Sequence, residues 1–113
     1  MNINKRTLRA TVTFDADVEV FSGYLDELAG PEVSDRFLDN ITKILTHIAA
    51  FPSSGSLYHS QTANIDNLRM FPVSRYPDYL LFYIDGPEEV VLVRLLHGMR
   101  DLTTELETLD TSE

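Results

Sequence analysis

The hydrophobic patterning of this chain implies a two-layer α+β domain, ordered β-α-α-β-β-β, in which a helical hairpin packs on a small antiparallel sheet. Three observations carry that reading. An early segment alternates apolar and polar residues with period 2. A central stretch, residues 15–51, repeats apolar residues at spacings of three and four. Three apolar runs then follow between Leu68 and Leu96, the last two joined by a turn sequence.

Residues 6–14, RTLRATVTF, place Leu8, Ala10, Val12 and Phe14 on one parity, as a half-buried strand does. Asp15 then reads as a helix N-cap, with Asp17 and Glu19 in the first turn, where the helix dipole favours anions. Val18, Phe21, Leu25 and Leu28 form one apolar stripe on a helix over 15–29. Gly23 interrupts it at a cost of about 1 kcal/mol relative to alanine. Gly30 and Pro31 stop this helix and start the next. The second helix covers 31–51, with Val33, Phe37, Ile41, Ile44, Leu45 and Ile48 at helical spacing, and Pro52 ends it.

Residues 52–67, PSSGSLYHSQTANIDN, are polar and turn-rich. So long a connection in a small domain is of the kind that carries function or motion. Strand runs follow at 68–73 (LRMFPV), 79–84 (YLLFYI) and 90–96 (VVLVRLL), with the hairpin signal DGPEE at 85–89. The last two runs are apolar on both parities, so both faces of the sheet require cover. The helical hairpin supplies one. The second face calls for a partner, or for the acidic tail, where Leu102, Leu106 and Leu109 recur at helical spacing.

The chain has 113 residues, which fits one domain, read as 1–102 with an acidic tail over 103–113. It has no cysteine, so disulfides, thiolate metal sites and cysteine nucleophiles are excluded. His47, His59 and His97 share no metal-ligand spacing, and no metal site is expected. Nine basic residues face eighteen acidic ones, a net charge of −9. That argues against general affinity for nucleic acid or anionic membrane. No apolar run approaches the roughly 20 residues of a membrane helix. The N-terminus lacks the apolar core of a secretory signal, so a cytoplasmic location is expected. Four of the nine basic residues, Arg69, Arg75, Arg94 and Arg100, lie in the C-terminal half.

Six phrases, in order, resemble the RelE/ParE toxin superfamily of bacterial type II toxin–antitoxin modules, over roughly residues 11–102. DVEVFSGYL at 17–25 is similar to the family's first-helix phrase. Arg36-Phe37-Leu38 with Ile41 is similar to A-x-R-F-L-x-x-I of the second helix. Phe51-Pro52 with Gly55 matches F-P-x-x-G at the helix exit. LRMFPV at 68–73, with Arg75-Tyr76, resembles L-R-x-F-P-V-x-R-Y. Leu81-Phe82-Tyr83 resembles I-F-Y, and LLHGMRDL at 95–102 resembles the closing V-L-H-G-A-R-D-L.

The resemblance implies a growth-stopping toxin silenced by an antitoxin that wraps around it and fills an apolar groove, a role consistent with the second sheet face. It also implies a choice between branches. RelE-like members cut messenger RNA on the ribosome, whereas ParE-like members are associated with poisoning DNA gyrase. Metal-free RNA cleavage needs a base, an acid and cations on the phosphorane. Aligned on Phe82-Tyr83, the position that often holds a catalytic arginine is Leu80. His97 falls where some nucleases have histidine, but Gly98 stands where they have tyrosine, and the second helix has a single lysine, Lys43.

His97 is open to three readings: a strand-end histidine bonded to the backbone, an acid–base group, or a contact residue. Arg69, Arg75, Arg94 and Arg100 are either salt-bridge partners or contacts for a target or antitoxin. If Arg69, Arg75 and Arg94 share a sheet edge, they make a cationic patch on an anionic protein. The expectation is a ParE-like toxin of the superfamily fold, without a cofactor, acting by binding and not by catalysis. Its target by resemblance is DNA gyrase. The alternatives are a ribosome-dependent RelE-type mRNA endoribonuclease using His97, and an inactive orphan that binds an antitoxin and inhibits nothing.

Overall fold

The computed structural model describes residues 6–59 and 65–98. The elements are β1 (Thr7–Ala10), α1 (Val12–Ala29), α2 (Pro31–Ala50), β2 (Ser56–Leu57), β3 (Leu68–Val73), β4 (Tyr76–Asp85) and β5 (Glu89–His97). The two helices pack on one face of a five-stranded sheet ordered β1-β5-β4-β3-β2. The α+β class and the helical hairpin are as the sequence implies. The sheet is mixed and not wholly antiparallel: β1 runs parallel to β5, pairing Thr7 with Glu89 and Ala10 with Leu92. It also has a fifth strand, because Ser56 and Leu57 pair with Met70 and Arg69 at the edge.

α1 begins three residues earlier than its acidic first turn suggests. Its N-cap is Thr11, fully buried, whose hydroxyl accepts the Phe14 N–H at 3.0 Å and donates to the Val93 carbonyl at 3.1 Å. Leu8, Ala10, Val12 and Phe14 satisfy period 2, but Phe14, Val18, Phe21 and Leu25 also satisfy the helical period. Burial of the Phe14 ring under the helices decides between them, and Val12 is exposed. Asp15 therefore lies inside the first turn, and Leu28 is exposed instead of joining the inward stripe.

Gly30, at φ 94°, ends α1 and opens α2, a left-handed-side conformation that a side chain resists. Pro31 then fills the first helical position, where no N–H is needed. α2 buries Phe37, Ile41, Ile44 and Ile48, with Val33 and Leu45 packed beside them. It ends at Ala50, with Phe51 as its C-cap. The core between the layers is completed by Val73, Leu81, Tyr83, Val90, Leu92 and Leu95. Phe37 and Phe21 both meet Tyr79 edge-on, at 5.2 and 5.0 Å between ring centres.

The second sheet face, for which the sequence calls for a partner or the acidic tail, is not bare. Leu68, Phe82 and Leu96 are fully buried there within the chain itself, with Met70, Leu80 and Ile84 packed around them. Tyr58 and Ile65, from the long connection, lie over this cluster, and the Tyr58 ring meets Phe82 edge-on at 5.3 Å. The leucines of the acidic tail, the tail itself and Arg100 lie outside the described residues. No described helix is long and apolar enough to cross a membrane.

Candidate functional site

The β3–β4 turn brings separate basic residues together. Arg75 sits in it at φ 69°, a conformation that is uncommon for a side-chain-bearing residue. Asn40 on α2 donates from Nδ2 to the Ser74 carbonyl at 2.9 Å and ties the turn to the helix. Arg36, Asp39, Asn40 and Lys43 follow one another at spacings of three, one and three on α2. With Arg75 they line a cleft of about 220 Å³. Lys43 also borders a second cleft of about 220 Å³, shared with Ile44, His47, Phe71 and Ser74. The His47 ring lies 5.3 Å from Phe51 and 5.8 Å from Phe71.

The result is one strip with cations at one end and aromatic rings at the other. Arg36, Lys43, His47, Phe51 and Arg75 are all exposed, on a protein of net charge −9. Such a surface suits an acidic protein partner: the cations steer and orient, and an exposed aromatic side chain anchors. Among the described residues, no three His, Asp or Glu side chains converge as a metal ion would require.

The other basic residues singled out in the sequence have internal partners. Arg94 turns its guanidinium into Asp17 of α1, with Nε and Nη2 donating to the two carboxylate oxygens at 2.7 and 3.0 Å. Asp17 also accepts the Leu95 N–H at 3.0 Å, closing the edge of β5 beyond the reach of β1. Arg69 donates from Nη1 to the carbonyls of Ser53 and Gly55 at 3.1 and 2.8 Å, and lies 3.5 Å from Asp85. Arg69, Arg75 and Arg94 therefore do not form one patch.

Around Arg69 a buried polar cluster fixes the helix exit. The Tyr83 hydroxyl donates to the Pro52 carbonyl at 2.7 Å and accepts the Gly55 N–H at 2.9 Å. A Cβ on Gly55 would stand 2.7 Å from that hydroxyl and 3.0 Å from the Met70 carbonyl oxygen, which accounts for glycine in the F-P-x-x-G phrase. Burial raises the Tyr83 pKa above 10.0, against the opposing pull of its hydrogen bonds.

His97 pairs in register with Tyr79 and packs its ring edge-on against it at 5.2 Å, on the face beneath the helices. Leu80 lies on the opposite face beside Leu96, and a Cβ at Gly98 would press within 3.0 Å of Leu80. Sequence reasoning singled out Arg75 but missed Arg36, Lys43, His47 and Phe51 as its neighbours. The spacing of Arg36, Asn40, Lys43 and His47 on one side of α2 was a usable signal; the meeting with a turn more than 25 residues away was not.

Residues 8–102 match the family described as the ParE toxin of the type II toxin–antitoxin system parDE. No curated protein sequence matches the chain. Among solved structures, a chain of the chromosomal ParDE toxin–antitoxin system from P. aeruginosa has a similar fold, with a TM-score of 0.66 at 15% identity. That alignment covers 83% of this chain and 97% of the other. With the family match spanning nearly all of the described fold, this chain belongs to the ParE toxin family of type II toxin–antitoxin systems.

Proposed function

We propose that this ParE-family toxin arrests growth by binding a protein target, DNA gyrase, and that a cognate antitoxin neutralises it in the cytoplasm. The observation that carries the binding reading is the strip of Arg36, Lys43 and Arg75 running into His47, Phe71 and Phe51. It gathers three of the nine basic residues onto one surface of an acidic chain. Of the groups that a nuclease reading would recruit, Arg94 is paired with Asp17 and His97 packs its ring against Tyr79, while Arg75 lies in the strip. A binding inhibitor depends on its contact surface, so charge reversal there should matter more than loss of one imidazole.

The test compares gyrase supercoiling with ribosome-dependent message cleavage, using the purified chain and its variants. The expected result is inhibition of supercoiling by the parent, weakened by Lys43→Glu with Arg75→Glu and kept by a folded His97→Ala. Message cleavage by the parent, lost in His97→Ala, would establish the endoribonuclease alternative instead. A parent that does neither, yet binds the product of an adjacent gene, would be the inactive orphan.

A further inference from the structure

α1 is apolar on two faces. Its inward stripe of Phe14, Val18, Phe21 and Leu25 packs in the core. Its outward side carries Val12, Val20 and Tyr24, exposed by 68%, 65% and 51%, and Leu28 near the helix end is exposed by 68%. At about 100° per residue, Val12, Ala16, Val20 and Gly23 fall within about 80° of one another. The steps of four from Val12 to Leu28 run about 24 Å along the helix. The same geometry places Asp15, Glu19 and Asp26 together on one border of the strip and Glu27 within it, all exposed.

Gly23 adds an independent observation. It lies mid-helix and exposed, and a Cβ built there meets nothing within 4 Å. Nothing inside the molecule uses its missing side chain, although glycine disfavours a helix relative to alanine. It leaves a notch beside Val20, bordered by Glu19, Asp26 and Glu27, into which an outside side chain can seat.

Charge decides what covers this face. α1 holds five acidic residues, Asp15, Asp17, Glu19, Asp26 and Glu27, and no basic one. Asp17 is engaged by Arg94, and the other four are exposed. A second copy docked through the same face would set these carboxylates against each other, which opposes a symmetric pair. We infer that the outward face of α1 docks a basic amphipathic helix of another protein. Its apolar residues, at spacings of three and four, lie along Val12–Ala16–Val20 with one seated over Gly23, and its Lys and Arg residues face Asp15, Glu19 and Asp26.

The test titrates the full chain with a fluorescent helical peptide carrying one apolar stripe flanked by lysine and arginine. Controls are the same composition with the stripe scattered around the helix, and a version with glutamate in place of the basic residues. Binding of the striped basic peptide alone is expected, weaker in high salt. Val20→Glu should weaken it by about tenfold or more. Gly23→Gln fills the notch while removing the helix glycine, so it should melt higher than the parent yet bind worse, separating docking from folding. Equal binding of the scattered or glutamate peptide, or unchanged binding by Gly23→Gln, would overturn the inference. So would a concentration-dependent dimer of the chain that Val20→Glu dissolves. These readouts do not depend on toxicity or on gyrase, so they stand or fall apart from the proposed function.

Discussion

Tyr83 shows how much a single hydroxyl holds in this molecule. It satisfies the buried Gly55 N–H and the Pro52 carbonyl at once, and Arg69 ties down the carbonyls on either side of Ser54. Tyr83→Phe should cost about 1–3 kcal/mol in chemical denaturation, because a buried donor is left without an acceptor. The pH dependence follows from its raised pKa. A group whose folded pKa lies above its unfolded value stabilises below the unfolded pKa and loses that contribution as pH rises through the folded one. The gap between parent and Tyr83→Phe should therefore be constant near neutrality and shrink above about pH 10. The Asp17–Arg94 pair is similarly exacting, with side chains only 12% and 14% exposed. Asp17→Ala should cost about 3–5 kcal/mol by thermal or urea unfolding, since the guanidinium loses its carboxylate and Leu95 N–H its acceptor.

At the scale of elements, α2 is the one that the sequence defines most completely, because one unbroken 3.6-residue period runs from Val33 to Ile48 and glycine, then proline, marks its start. Ile41→Ala, in the middle of that stripe, should cost about 2–5 kcal/mol, measured as a fall in denaturation midpoint. The border between β1 and α1 was less legible. A stretch with apolar residues at 8, 10, 12 and 14 serves strand and helix equally until packing is known, and Thr11 caps the helix from within that alternation. β2 carried no signal, being two residues held only by pairing with β3. The parallel pairing of β1 with β5 joins residues about 80 apart, and local periodicity says nothing about such partners. The site was half legible for the same reason. Arg75 stood out as a cation beside a family-like phrase, whereas its company on α2 depends on how a turn meets a helix.

For the molecule as a whole, the sheet order places the last strand inside. β5 lies between β1 and β4, and it also supplies the carbonyls of Leu92 and Val93 that receive Thr11. The first two elements of the chain thus converge on one strand: β1 by parallel pairing, and α1 through Thr11 and Asp17. A chain cut after residue 88 should show no cooperative thermal transition, even though both helices and four strands of its sequence remain. A sharp transition in that fragment would show that the helical hairpin is stable without β5.

That arrangement has a consequence for synthesis. A ribosome adds about 5–20 residues per second, and the segment that closes this sheet is made after everything it must pair with. Until residues 89–97 have cleared the exit tunnel, the strip formed by α2 and the β3–β4 turn rests on a sheet without the strand that joins β1 to β4. Non-local pairing of this kind is also slow to form once the chain is free. The nascent toxin therefore has an interval in which its apolar helix faces are accessible while its contact surface is unfinished. A partner already present can engage the chain in that interval, before it is competent to act.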